Sequence, residues 1–200
     1  MIAALYVETG GVYFNRPDVD PWDVHRDAKR YGGPWPVVAH PPCGPWGRLR
    51  FMCRLQDASC APRAAEQVRR WGGVLEHPAE SRLFHACHMP FPGDLPDAWG
   101  GHTVLVHQVA WGHNCEKPTW LYVVGVSRDA VARGLRTGGV ATHRVTSGPG
   151  GPQLPSATKK KRAATPPAFA EWLIALASSA KRPALGETPI RLDTDHGTEA

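Results

Sequence analysis

Cys43 follows two prolines in Val37-Val38-Ala39-His40-Pro41-Pro42-Cys43, and a carboxylate stands in Val74-Leu75-Glu76-His77-Pro78. Each segment is a short apolar run that ends in proline, which reads as a buried strand handing the chain to a loop. If the two strands are parallel neighbours, thiol and carboxylate face one pocket at the carboxyl ends, where open α/β sheets bind their ligands. A thiol held at a fixed exit angle by Pro41 and Pro42 is a candidate nucleophile, with the Glu76 carboxyl a candidate acid or base beside it. A free cysteine also serves as a small buried hydrophobe, and Pro-Pro-Cys alone does not separate the two roles. A cysteine hydrolase would need His40, His77 or His113 as its base, yet no spacing pairs the thiol with any one of them.

The elements that must position these groups are legible from periodicity. Ile2–Val7 and Val37–His40 read as buried strands, each ended by turn residues. The stretch 61–73 reads as a helix, with Pro62 at its first turn, Ala65, Val68 and Trp71 on one face and Gly72-Gly73 as its stop. The strand 74–78 follows at once. Strand, helix, strand over 37–78 is the signature of a right-handed βαβ unit and a mainly parallel sheet, which the apolar runs 103–109 and 120–126 extend. Between the first two strands there is room for one small helix over 22–31 and one short strand. Phe169, Trp172, Leu173 and Leu176 form the apolar stripe of a last helix, opened by prolines and closed by Lys181-Arg182. The Gly/Pro/Ser-rich stretch 146–156 and the run Lys159–Arg162 read as a mobile, exposed connection, and 183–200 as a disordered tail. The expectation is one compact α/β domain over 1–182.

The chain has 200 residues, with 23 Lys and Arg against 18 Asp and Glu, a formal charge of +5 that favours a polyanionic partner without demanding one. Five cysteines are too few and too uneven for a disulfide framework, so a reducing cytoplasm fits. No apolar run approaches the ~18–20 residues that span a bilayer, and the N-terminus lacks a basic leader region. A soluble, unexported protein without membrane attachment is expected. Cys53, Cys60, His85, Cys87 and His88 do not have the spacing of a structural zinc site, and the His-x-Glu and Pro-Cys-x-x-Cys signatures of zinc deaminases are absent, so no metal is assigned.

Taken in order, Pro41-Pro42-Cys43, Glu76-His77-Pro78, Gln108-Val109-Ala110-Trp111-Gly112-His113 with Lys117-Pro118-Thr119, and Thr165-Pro166-Pro167-Ala168-Phe169-Ala170 resemble the motif series of the DNA cytosine-5 methyltransferases. The likeness covers most of 37–175. It implies a Rossmann-like, methyltransferase-type sheet flanked by helices and a transferase that uses S-adenosylmethionine. It also implies Cys43 as the thiolate that adds to cytosine carbon 6, making carbon 5 nucleophilic, and Glu76 as the acid at N3, with its pKa raised in a dry pocket. Glu8, Thr9, Gly10, Gly11 and Pro41 would contact the cofactor. Pro42, Trp46, Arg48, Gln108, His113 and Lys117 would contact the substrate, with Trp46 and Trp111 available to stack on a base. Arg48, Arg50, Arg54 and Lys159–Arg162 are candidates for phosphate contacts, their other reading being solvated surface.

The chain departs from the family at three places. Its first motif, Tyr6-Val7-Glu8-Thr9-Gly10-Gly11-Val12-Tyr13, is a poor counterpart of Phe-x-Gly-x-Gly. The Arg-x-Arg that follows the strand glutamine is missing. Only about fifty residues separate His113 from Thr165, too few for the family's target-recognition region. The expected substrate is therefore DNA, duplex or single-stranded, or a pyrimidine nucleotide, and the small size would suit a phage or mobile-element enzyme. A different donor at carbon 5, or a non-catalytic DNA- or protein-binding module on a degenerate methyltransferase fold, are the alternatives.

Overall fold

The computed structural model describes residues 1–48, 50–53, 57–145 and 154–183; Arg54 and most of the expected tail lie outside them. Six strands form one sheet: β1 (Ile2–Leu5), β2 (Val19–Trp22), β3 (Val37–Ala39), β4 (Gly73–Pro78), β5 (His102–His107) and β6 (Pro118–Val124), in the order β2-β1-β3-β4-β6-β5. The pairings β1/β2, β1/β3 and β3/β4 are parallel, while β6 runs antiparallel to both β4 and β5. The sheet is thus mixed rather than simply parallel. β6 is the one reversed strand, because the connection from β5 turns back within residues 108–117 and feeds β6 between β5 and β4.

Alternation along the strands splits the core between the two faces of the sheet. Ile2 and Ala4 of β1, Val38, Val74, Leu121 and Val123 pack with Phe169, Leu173 and Leu176 of the last helix, α5 (Pro167–Ser178), and with Val131 of α3 (Arg128–Gly134). Ala3 and Leu5, Val37, Leu75 and Tyr122 pack on the other face with Ala61, Ala64, Val68 and Trp71 of α1 (Cys60–Trp71) and with Leu83 and Phe84 of α2 (Arg82–Ala86). The result is one α/β domain with helices on both faces. The close approach of β4 to β3 needs Gly73, whose φ is +115° and where a Cβ would run into the Val37 backbone.

Three local expectations are corrected. Residues 22–31 form no α-helix: Trp22 ends β2, the Asp23 carboxylate accepts the backbone N–H groups of His25 and Arg26, and Asp27 turns left-handed, leaving only a 3₁₀ turn at Ala28–Arg30. Gln108 and Val109 lie beyond β5, in a 3₁₀ turn over Gln108–Trp111. Lys159–Ala163 is a short exposed helix, α4, capped by the Thr158 hydroxyl accepting Lys161 N–H at 3.2 Å.

Candidate active site

β3 delivers the thiol. His40 N–H continues the strand ladder by one bond to the Leu5 carbonyl, 3.0 Å, after which Pro41 and Pro42 have no N–H to give and the ladder stops. Cys43 then opens a 3₁₀ turn, Gly44–Trp46, its carbonyl accepting Trp46 N–H at 3.1 Å and Gly47 N–H at 2.8 Å. Trp46 pins that turn, its indole N–H donating to the Ala58 carbonyl at 3.1 Å while its own carbonyl accepts from the Ser81 hydroxyl at 3.3 Å. Cys43 itself is exposed and free. Its position is not that of a core filler.

β4 delivers the carboxylate beside it. Glu76 is only 11% exposed, and both of its oxygens are engaged: Oε2 by His40 Nδ1 at 3.0 Å and Oε1 by Gln108 Nε2 at 2.8 Å. The network continues outward on both sides. His40 Nε2 meets the Tyr13 hydroxyl at 2.7 Å, and Gln108 Nε2 also donates to the Thr119 hydroxyl at 3.0 Å, which donates to the Lys117 carbonyl at 3.0 Å. With Nδ1–H donated to Glu76, His40 accepts the Tyr13 proton at Nε2, so one tautomer satisfies the chain from Tyr13 to Glu76. Five segments of the fold are joined in this one network, two of them touching the carboxylate directly.

The expectation of a carboxyl with raised pKa is overturned. Burial does push Glu76 up, but the Lys117 charge, the His40 hydrogen bond and the His40 and His77 charges outweigh it and hold the group at about 2. Glu76 is ionised. Cys43 goes the other way: its crowded surroundings raise the thiol, the Glu76 charge adds to this, and Lys117 opposes it. The thiol is protonated at neutral pH and needs a base to become a nucleophile.

The other expected residues fall into distinct places. Glu8, Thr9, Gly10 and Gly11 form the turn after β1, closed by Gly11 N–H to the Glu8 carbonyl at 2.9 Å and tied to the end of β2 by the Thr9 hydroxyl donating to Asp23 at 2.7 Å. Gly10 has a φ of +69° and open space where a Cβ would stand. Pro41 is buried and Pro42 half-buried, while Arg48 is exposed on the loop beyond Trp46. Lys117 Nζ donates to the Ala164 carbonyl at 3.2 Å. His113 is buried, its Nδ1 accepting Cys115 N–H at 2.9 Å, which makes it a brace for the 113–115 loop. Trp111 is core, stacked on Trp172 with ring centroids 4.7 Å apart, and offers no face to a base. None of His40, His77 and His113 is hydrogen-bonded to Cys43. Tyr13, Asp23 and Thr119 were given no role by sequence reasoning, since their partners His40, Thr9 and Gln108 stand 27, 14 and 11 residues away.

Among the described residues no group of three or more His, Cys, Asp or Glu could hold a metal ion, and no helix is long and apolar enough to cross a membrane. Two surface grooves, of about 450 and 510 Å³, lie away from the Cys43–Glu76 site, one along β5 and one beside Phe91 and Leu95. No family model, curated protein or solved structure matches the chain.

Proposed function

We propose that the protein modifies carbon 5 of a pyrimidine, in DNA or a nucleotide, through Cys43 as nucleophile and Glu76 as proton carrier. One observation carries this: a buried, ionised carboxylate, clamped from both sides by His40 and Gln108, stands at the same strand ends as an exposed thiol. A binding module has no need of a reactive pair built in this way. The sheet supports the reading too. β1 sends the chain to β2 on one side and to β3 and β4 on the other, which makes a switch point at the carboxyl ends of β1 and β3. We take the sheet as a shortened, Rossmann-like methyltransferase-type sheet on that ground.

The proton balance runs through Glu76, and because its pKa is lowered while that of Cys43 is raised, the transfer from thiol to carboxylate is uphill and has to be coupled to protonation of N3. Cys43 must lose its proton to add to carbon 6, and N3 of cytosine must gain one as the ring accepts the electron pair. An ionised Glu76 takes the first and gives the second, ending unchanged. His40 and Gln108 keep its two oxygens oriented throughout, and Lys117 supplies positive charge near the ring where the expected Arg-x-Arg is absent. After the new group joins carbon 5, water takes the carbon 5 proton as the carbon–sulfur bond breaks, N3 returns its proton to Glu76, and Glu76 passes it back to the Cys43 thiolate. The turn Glu8–Gly11 and Pro41 would hold S-adenosylmethionine at the switch point, the open space at Gly10 leaving room for a ligand against the backbone. When bound there, it supplies an electrophilic methyl group.

Intact-protein mass spectrometry with DNA containing 5-fluorocytosine tests this, with and without S-adenosylmethionine. A protein–DNA adduct that requires both Cys43 and the cofactor is the expected result. An adduct that needs another donor keeps the thiol and changes the group transferred. No adduct with DNA or nucleotide, together with DNA binding that is unchanged in Cys43→Ala, would turn the protein into a binding module.

A further inference from the structure

Charge is unevenly distributed along this chain. Between Ala130 and Ala170 there are seven Lys and Arg residues and no Asp or Glu, while the whole chain carries only +5, so the remainder is acidic on balance. Its residues 142–145 and α4 are gathered beside one hub, the loop 113–117 that leads from Gln108 into β6. The Asn114 carbonyl accepts both Thr142 and His143 N–H at 2.9 Å. Lys161 Nζ meets His143 Nε2 at 3.0 Å, Arg162 donates to the Val145 carbonyl at 3.1 Å, and Arg144 and Ser156 form a parallel bridge. Lys117, from the hub itself, reaches the Ala164 carbonyl at the end of α4. All five residues of α4 are exposed, and no side-chain hydrogen bond or ion pair ties down Lys159 or Lys160 among the described residues. Lys117 ties the end of α4 to the candidate site: its Nζ reaches the Ala164 carbonyl, while its own carbonyl accepts from the Thr119 hydroxyl, which accepts from the same Gln108 amide that donates to Glu76.

We propose that α4 with His143 and Arg144 is a phosphate-tracking surface for a polynucleotide strand, placed so that a base from that strand enters the Cys43–Glu76 site. This rests on the reading that the site takes a pyrimidine, and commits it to a polymer rather than a free nucleotide. Mobile, unpaired lysines on an exposed helix suit phosphate oxygens, which need charge but no fixed geometry. An anionic membrane would need an apolar face beside the cations, and α4 presents none. A surface of this kind holds the backbone without reading bases, so it brings little sequence preference.

Fluorescence anisotropy of labelled duplex and single-stranded 20-mers, measured over a series of salt concentrations, tests the surface. The slope of log affinity against log salt is about −0.9 per phosphate contact on duplex and about −0.7 on single strands. In Lys159→Gln/Lys160→Gln the slope should flatten by roughly 1.4–1.8. Affinity should fall alike for unrelated sequences, with thermal unfolding unchanged. Arg30→Gln, exposed in the 3₁₀ turn that precedes β3, should leave both unchanged. An unaltered slope and affinity in the double lysine variant would overturn the proposal. So would competition by deoxycytidine monophosphate as effective as that by the oligomer, or binding to phosphatidylserine vesicles in preference to either oligonucleotide. The salt slope should persist in Cys43→Ala. A slope that depends on Lys159 and Lys160 without any 5-fluorocytosine adduct sinks the proposed chemistry and leaves the surface standing; an adduct with an unaltered slope does the reverse.

Discussion

His77 is fully enclosed, with neither ring nitrogen hydrogen-bonded, and burial holds its pKa down at about 4 against an ordinary 6.5. The unfolded chain therefore binds a proton that the folded one refuses between those values, and stability must fall as pH drops from about 6.5 to 4. Glu76 adds a second acid step: its contribution is complete above its ordinary 4.5 and is lost as pH falls toward 2. Urea midpoints measured from pH 7 down to about 2 should show a decline between 6.5 and 4 that largely disappears in His77→Phe, whereas the decline below pH 4.5 should remain. His40 belongs to the same scale. Its removal in His40→Ala takes a hydrogen bond from Glu76, so the carboxyl pKa rises and the acid limb of adduct formation moves to higher pH. His40→Asn, which keeps an N–H within similar reach, should move it less, and kcat should suffer more than KM in both. Cys43, Glu76 and Gln108 were legible by type and order. What Gln108 and His40 do with Glu76 was not, because those contacts join residues 32 and 36 apart and depend on strand packing.

Elements were read well where periodicity was strong and poorly where local hydrogen bonding prevailed. α1 and α5 stand where their apolar stripes put them, since burial of a whole face leaves a strong pattern. The expected short strand between β1 and β3 could not be given bounds, because Asp20 and Pro21 break the apolar pattern of β2, and Pro21 is tolerated there only because β2 is an edge strand. The reversal of β6 could not be read either, as an apolar run has no direction. The packing of β4 on β3 gives the sharpest test at this scale. Gly73→Ala should cost at least ~2 kcal/mol of stability, because a strained positive φ and a backbone clash act together; the chemical denaturation midpoint measures it. Trp111→Ala should cost ~3–5 kcal/mol as a core truncation, and it should leave affinity for nucleic acid unchanged in whatever fraction remains folded, since this indole faces Trp172 and Phe169 rather than the site.

At the scale of the whole molecule, the expectation of one α/β domain with helices on both sides of its sheet holds, and the single sheet serves both cores and the site. Composition pointed to a polyanion without saying where it would bind; contacts such as Lys161 with His143 and Lys117 with Ala164 give the charge a location. The clamp on Glu76 has a further consequence, for the order in which a growing chain becomes competent. His40 precedes the carboxylate, but Gln108 and Thr119 follow it, and the strand that walls off β4 is synthesised after β5. α5, which roofs β1, β3 and β4, comes later still. A nascent chain that has just released Cys43 and Glu76 from the ribosome therefore carries both reactive groups without the machinery that tunes them. On the proposed chemistry the two would work as a pair only when the chain is nearly complete, so an interrupted translation product would be chemically silent rather than partially active.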